Sequence, residues 1–351
     1  MNAEPRPGLR DVAPYVSPQL EVAARLNTNE CPLPLPQGFV EQLSRVVRDL
    51  SLHRYPDGQM SRLREDLASH TGHPVEGIWV ANGSNEIIAE LLQAYGGPDR
   101  RALTFDPTYL LHARLSWLTH TELVRHELDA PFMLDDAAIA AAVGVDPDIV
   151  FVCSPNNPTG NAQPVDAVAS LAASLPTKLV IVDEAYIEFG GESSLKLVAD
   201  APNIAVVRTF SKAFALAGAR IGYTLTSPEI VADLQRVRLP YHVSALTQAT
   251  AITALKFERE AMGILDAIRI ERDRIVATLQ QMSGVVVYPS DANFVLFVPP
   301  KPAAEVWQAL LDRSVLVRDL SAVVPNALRV SAGATHEVDL FLDSLKEVLA
   351  A

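Results

Sequence analysis

The sequence predicts an α/β fold: a large domain with a mostly parallel central sheet flanked by helices, followed by a smaller α/β domain. Two observations carry this expectation. Three apolar, β-branched runs, "DIVFVCSP" from 148, "KLVIVDEAY" from 178 and "NIAVVRTFSK" from 203, recur with helix-like segments such as "DAVASLAASL" between them. Strands covered on both faces read as continuous apolar runs, and their alternation with helices is the mark of βαβ units. From about residue 248 the pattern changes to a long helical stretch, "TQATAITALKFEREAMGILDAIRIERDRIVATLQQM". Strand-like "DANFVLFV", another helix and two short strands around "VLVRDL" and "ALRVSAG" follow. We therefore expect an N-terminal arm over residues 1–28, a large domain over 29–247 and a small C-terminal α/β domain over 248–351.

Taken in order, the first residues, "MNAEPRPGLRD", carry proline and charge where a signal peptide needs an apolar core. The proline-rich "CPLPLPQG" at 31–38 reads as an extended arm or connector. "GIWVANGSNEIIAELLQAYGG" reads as a short strand, a tight turn at Gly83 and a helix from near Ser84 that stops at Gly96 and Gly97. Free amides and the positive dipole end make such a helix start an anion site, although "GSNE" is also what a plain helix cap looks like.

Composition narrows the function. The chain has 351 residues, 49% hydrophobic and 20% charged, which excludes disorder. Its net charge of −13 argues against nucleic acid or an anionic membrane as partner, while leaving room for an anionic small molecule held by a few clustered arginines. No apolar run is long enough to span a bilayer, so a cytoplasmic protein is expected. Cys31 and Cys153 show no paired spacing, which predicts free thiols and no cysteine metal site.

Ligands of open α/β sheets gather beyond the carboxyl ends of the strands. The residues found there are Asn156 and Asn157, then Asp183 and Tyr186, then Thr209, Ser211 and Lys212. A lone lysine at a strand end is ordinarily a solvated charge. Lys212, however, is followed by the small residues of "AFALAGAR", with Arg220 eight positions on. Partial burial and a nearby cation both favour the unprotonated amine that an imine requires, and small residues let backbone approach a flat, bulky group. Asp183 ends an apolar run with no evident local partner, a place where a protonated ring nitrogen would fit.

"SPNNPTG", "VDEAY" and "SKAFALAGARIGY" resemble the signature of the aspartate-aminotransferase superfamily, fold type I of the pyridoxal-phosphate enzymes. "LNTNE", "LHRYPDG", "NGSNEI", "VRLPYHVSALTQ", "PSDANFVLF" and "VLVRD" are similar, more narrowly, to histidinol-phosphate aminotransferases, over about residues 25–335. The resemblance implies that Lys212 forms the imine with pyridoxal phosphate and then shuttles the substrate proton in a ping-pong reaction. It implies that Asp183 faces the pyridine nitrogen, that Asn157 and Tyr186 bond the phenolate oxygen, and that Tyr109 stacks on the ring. Ser84, Asn85, Thr209, Ser211 and Arg220 would hold the cofactor phosphate, with Tyr55 reaching it from the other subunit of a homodimer. Arg329 would grip the carboxylate of glutamate or 2-oxoglutarate and the phosphate end of histidinol phosphate, with Arg318 reinforcing the phosphate and Asp319 as a rival partner for Arg318. Cys31 after Glu30, and "SAGATHEVD" after the last arginine strand, depart from the family pattern. These departures leave two competitors open: an aromatic aminotransferase and a threonine-phosphate decarboxylase. No GxGxxG follows a strand, which argues against a nicotinamide dehydrogenase.

Overall fold

The computed structural model describes residues 3–14 and 18–350. A two-residue strand, β1 (Ala24–Arg25), precedes helices α1 (Gln37–Arg48) and α2 (Ser61–Thr71). Then come β2 (Ile78–Ala81), α3 (Ser84–Tyr95), β3 (Arg101–Asp106), α4 (Leu110–Leu118), β4 (Glu122–Glu127) and α5 (Asp136–Val145). The three runs singled out in the sequence are β5 (Ile149–Cys153), β6 (Leu179–Asp183) and β7 (Ile204–Thr209), with α6 (Val165–Ser174) between the first two and β8 (Gly222–Leu225) after the third. Helices α7 (Pro228–Val237), α8 (Ala245–Leu255) and α9 (Glu258–Leu279) lead to β9 (Val286–Val287) and β10 (Phe294–Val298). The chain ends with α10 (Ala303–Leu311), β11 (Val315–Leu316), β12 (Arg318–Asp319), β13 (Leu328–Ser331) and α11 (Thr335–Ala350).

The large sheet has seven strands in the order β2-β8-β7-β6-β5-β3-β4. Strands β3 to β7 run parallel, and β8 lies antiparallel to both its neighbours, so the sheet is mostly parallel, as expected. Every residue of β5 and β6 is buried, which is why those runs carry no polar alternation. The turn that reverses the chain between β7 and β8 is the segment that carries Lys212. A second, antiparallel sheet has the order β12-β13-β10-β9, and β1 pairs with β11.

Each sheet has its own core. Trp79, Phe151, Phe210 and Tyr223 fill the first, while Phe297 and Phe341 meet in the second with ring centroids 6.1 Å apart. Helix α9 supplies Leu265 and Ile268 to the first and Ile275 and Leu279 to the second, so one rod joins both cores. Burying each such side chain stabilises the fold by about 1.5–3 kcal/mol. Among the described residues, no helix is long and apolar enough to cross a membrane.

The uninterrupted helix expected after residue 248 is two helices, broken at Lys256 and Phe257. Phe257 leaves helical angles (φ −110°, ψ 23°) and sets its ring edge-on to Phe39 of α1, with centroids 6.0 Å apart. That packing outweighs the local preference for helix, which amounts to only tenths of a kcal/mol per residue.

Gly222 of β8 is pressed against the start of α3: a Cβ there would lie 2.4 Å from the Ser84 nitrogen and 2.6 Å from the Gly83 carbonyl carbon. Gly222→Ala is expected to destabilise the protein by about 1–3 kcal/mol through overpacking. Thermal or urea denaturation checks this; an unchanged transition would show that the close approach imposes no constraint.

Candidate active site

Beyond the carboxyl ends of β5, β6 and β7 lies a cavity of about 250 Å³. Ser84 and Asn85 line it from the start of α3, Tyr109 from just before α4, and Asn157 from the loop after β5. Asp183 and Tyr186 enter from β6 and its following turn, and Thr209, Ser211, Lys212 and Arg220 from the β7–β8 segment. Every residue expected to hold the cofactor is thus brought to one place, except Tyr55. A larger cavity of about 690 Å³ shares Thr28, Asn85, Tyr109, Asn157, Tyr186 and Lys212 with the first and adds Arg318 and Arg329.

The lysine side chain ends between the two chambers. Its Nζ donates to the carbonyl oxygens of Asn29 (2.9 Å) and Thr28 (3.2 Å) and lies 5.6 Å from the centre of the Tyr186 ring. The pKa of the ammonium falls from its ordinary 10.5 to about 8, chiefly through burial and then through Arg329; Glu30 opposes the shift and Arg220 adds to it. The sequence pointed to Arg220 as the nearby cation, whereas Arg329, far away in the chain, has the larger influence. Arg220 instead donates from Nη1 to Ser211 Oγ (3.3 Å) and Ala217 O (3.1 Å). Its guanidinium lies over Gly83, where a Cβ would come within 2.6 Å of Nη2; Gly83 has φ +89°.

Asp183 has a neighbour that the sequence did not reveal. His112, fully buried on α4, places Nε2 3.4 Å from Asp183 Oδ2, and Oδ1 accepts from the Ala185 amide at 3.2 Å. The imidazole stacks on Phe151 with centroids 4.4 Å apart and meets Tyr109 edge-on at 5.6 Å. His112 sits in the apolar helix "LLHARLSWL", where a single histidine carries no pattern of its own.

Arg329 is buried, and its Nη1 donates to Asn157 Oδ1 while Nη2 donates to Asn27 O at 3.1 Å. Its guanidinium stands 5.0 Å over the Phe294 ring. Arg318 is directly opposite Arg329 across the β12–β13 ladder. Asp319 does not pair with Arg318: its Oδ1 accepts from the amide (2.9 Å) and hydroxyl (2.6 Å) of Ser321, because successive residues of a strand point to opposite faces. Like charges directly opposite on a sheet are unfavourable, so this pair makes a site that an anion stabilises. Among the described residues, no aspartate or glutamate lines the larger cavity.

The sequence pattern described as aminotransferase class I and II matches residues 23–345. The chain belongs to this family. Curated histidinol-phosphate aminotransferases from Thermobifida fusca and Streptomyces avermitilis are 46% and 48% identical to it. These alignments cover 97% and 98% of the chain and 94% and 96% of the relatives. The crystal structure of histidinol-phosphate aminotransferase from Sinorhizobium meliloti in complex with pyridoxal-5′-phosphate superposes with a TM-score of 0.89 at 26% identity. That match covers 99% of this chain and 98% of the other.

Within this class I and II aminotransferase, Tyr55 stands apart from both cavities, 80% exposed and stacked on Tyr241 with centroids 4.5 Å apart. Asn29, in "LNTNE", joins the site although no local signal in the sequence marks it. Its side chain donates to the Tyr186 hydroxyl (3.1 Å) and accepts from Ser331 Oγ (3.0 Å), while its carbonyl accepts from Asn293 as well as Lys212. A backbone φ of +54° marks the turn that makes these contacts possible, a feature for which asparagine is well suited. Cys31 and Cys153 are free thiols; Cys153 lines the smaller cavity, and burial holds its pKa well above the ordinary range.

Because the folded pKa of Lys212 lies below that of the unfolded chain, its charge opposes folding below about 8, and stability rises with pH from there toward 10.5. Reductive methylation of Lys212 in the cofactor-free protein should therefore rise with pH to a plateau with its midpoint near pH 8. Arg329→Ala should move that midpoint upward. Peptide mass spectrometry reads both, and an ordinary lysine profile would contradict the assignment.

Proposed function

We propose that this protein is a homodimeric, cytoplasmic, pyridoxal-phosphate-dependent aminotransferase that exchanges an amino group between histidinol phosphate and 2-oxoglutarate. One observation carries the substrate: Arg318 and Arg329 stand opposite each other in a cavity that opens on Lys212 and, among the described residues, has no carboxylate on its lining. A planar, permanently charged fork suits both a carboxylate and a phosphate. Two such forks suit an enzyme whose single pocket takes a dicarboxylate in one half-reaction and a phosphate ester in the other.

The residues present fit the cofactor. The first turn of α3 has no side-chain cap from Gly83, and Ser84, Asn85, Thr209, Ser211 and Arg220 surround it with donors for a phosphate. At the other end of the cavity, the buried Asp183 carboxylate suits a protonated ring nitrogen, and Asn157 and Tyr186 can orient the ring's phenolic oxygen. Tyr109, which lines both chambers, would cover a ring face. Pyridoxal phosphate, when bound, supplies the electron sink that stabilises charge developing on the substrate carbon.

Lys212 would anchor the cofactor covalently and, once freed by the incoming substrate amine, its Nζ would take a proton from the substrate Cα and give it up again on the same face of the site. A depressed pKa keeps enough of the amine unprotonated for this role near neutral pH. Arg329 fixes the substrate carboxylate or phosphate, and its bond to Asn157 couples that grip to the ring-orienting amide. Arg318 adds its charge at the phosphate.

A half-reaction titration of the holoenzyme tests the reading by following the visible absorption of the cofactor. Low concentrations of histidinol phosphate should convert it, and 2-oxoglutarate should reverse the change. Phenylalanine acting as well or better would replace the reading with an aromatic aminotransferase, and carbon dioxide release from threonine phosphate would point to a decarboxylase. Arg318→Ala should raise the KM for histidinol phosphate by about tenfold, equivalent to about 1.4 kcal/mol, and that for glutamate by less.

The dimer rests on Tyr55 and Tyr241, stacked on each other in the open, with Leu52 and Leu239 at 59% and 72% exposure nearby in the chain. Covering this patch with a second copy would bring Tyr55 to the partner's cofactor phosphate. Coexpressed Tyr55→Ala and Lys212→Ala subunits should then regain activity, because each mixed dimer keeps one site with both residues intact. Mixtures no more active than the separate variants would contradict the shared site.

A further inference from the structure

The loop between β5 and α6 carries Asn157 and is closed on itself: Gly160 N donates to Asn156 O (2.7 Å), and Asn156 N to Asn161 O (2.8 Å). Asn157 lies inside this ring of bonds, so a shift of residues 160–162 is passed on to it. From the side of the large sheet, Asn156 Nδ2 donates to Pro107 O (2.8 Å) and Asn161 Nδ2 to Phe132 O (3.0 Å). From the opposite side comes the segment between β9 and β10. The Asp291 amide donates to Gly160 O (2.7 Å), and Asp291 Oδ2 accepts from the Ala162 amide (2.9 Å). One residue thus brackets the loop with a donor and an acceptor.

The approach is close. A Cβ on Gly160, which has φ +90°, would lie 2.6 Å from Ser290 Oγ, and one on Gly190, in the turn after β6, would lie 3.0 Å from the Asp291 carbonyl oxygen. Arg272 of α9 closes the flank, its Nη1 donating to Phe189 O (3.2 Å) and Ala292 O (3.3 Å). Three residues beyond Asp291 stands Phe294, whose ring meets Tyr186 edge-on at 5.1 Å and lies under the Arg329 guanidinium. The segment that supports Arg329 and packs Tyr186 therefore also holds the loop of Asn157. Asn157 Oδ1 accepts from Arg329 Nη1, which leaves its Nδ2 to donate.

We propose that Asp291 is a positioning residue: its carboxylate and amide clamp the Asn157 loop onto the segment leading to Phe294, so that the Asn157 amide stays aimed at the phenolic oxygen of the cofactor. The inference rests on the role proposed above for Asn157 and extends it to a residue that lines neither cavity. A substrate oxyanion competes with Asn157 Oδ1 for the N–H groups of Arg329. The clamp keeps Asn157 in place while Arg329 is engaged in that way. Donation to the phenolic oxygen favours its deprotonated form, so a slackened clamp raises the pH at which the visible cofactor band titrates. The other charged groups around that band are Arg329, Arg220, Glu30 and Asp183, with His112 behind Asp183, and none of them is altered in the variants below.

The test is a spectrophotometric pH titration of the holoenzyme without substrate, which reads the site and not turnover. Asp291→Ala should raise the midpoint of the visible band by about half a pH unit or more, and Asn157→Ala by at least as much. Asp291→Asn, which keeps an oxygen acceptor for the Ala162 amide, should stay near the wild-type midpoint. In the Asn157→Ala background, Asp291→Ala should move the midpoint no further, the non-additivity expected of two changes to one device. Gly160→Ala, which pushes the loop off Ser290, should raise the midpoint as well, and it decides alone should Asp291→Ala fail to fold. A wild-type midpoint in the Asp291→Ala or Gly160→Ala enzyme, even with a lowered melting temperature, would make the contact merely structural and overturn the clamp. So would a full shift from Asp291→Ala in the Asn157→Ala background. An Asn157→Ala enzyme with the wild-type midpoint would sink the role proposed for Asn157, and the clamp with it; the choice of substrate is untouched by either result.

Discussion

The hydrogen bonds from Lys212 Nζ to the carbonyl oxygens of Thr28 and Asn29 join three parts of the chain at one point. Lys212 comes from the turn between β7 and β8, the two carbonyls from the segment after β1, and Asn29 in turn holds Ser331 and Asn293 of the second sheet's neighbourhood. A buried amine needs acceptors, and buried carbonyls need donors. Satisfying both fixes where the lysine side chain ends, and it ends where the two cavities meet. The remaining geometry follows from that position: Tyr186 is held by Asn29, and Asn157 by Arg329, so the groups that would orient the cofactor are tied to those that would grip the substrate.

Charge is divided to match. The protein carries −13 overall, yet the larger cavity gathers Arg114, Lys212, Arg318 and Arg329 with no carboxylate on its lining among the described residues. Crowded cations relieve their repulsion through the member that can lose a proton. Guanidinium groups remain protonated, so the lysine yields: burial lowers its pKa most and Arg329 adds to the shift, favouring the neutral amine its proposed chemistry requires. Arg329, the arginine proposed to bind the substrate's anion, would thus also help prepare the base.

Much of this was legible in the sequence because it is local. Continuous apolar runs gave β5, β6 and β7 and with them the strand ends where Asn157, Asp183 and Lys212 stand. What was not legible depends on contacts between distant segments. His112 looks like an ordinary helical residue until the fold lays it beside Asp183, and Arg329 lies more than a hundred residues from the lysine it influences. The break at Phe257 was hidden because helix propensity is a weak, local preference and the ring's docking on Phe39 is tertiary. That Arg318 stands opposite Arg329, while its rival partner Asp319 bonds Ser321, is likewise a matter of strand pairing that the sequence does not display.

The central claim is that the cofactor is carried by Lys212. Borohydride reduction of the purified holoenzyme, followed by tryptic digestion and mass spectrometry, tests it most directly. The account predicts a phosphopyridoxyl mass on the peptide spanning residues 209–220, at Lys212. The label on another lysine, or no label on a protein that shows the visible cofactor band, would contradict it.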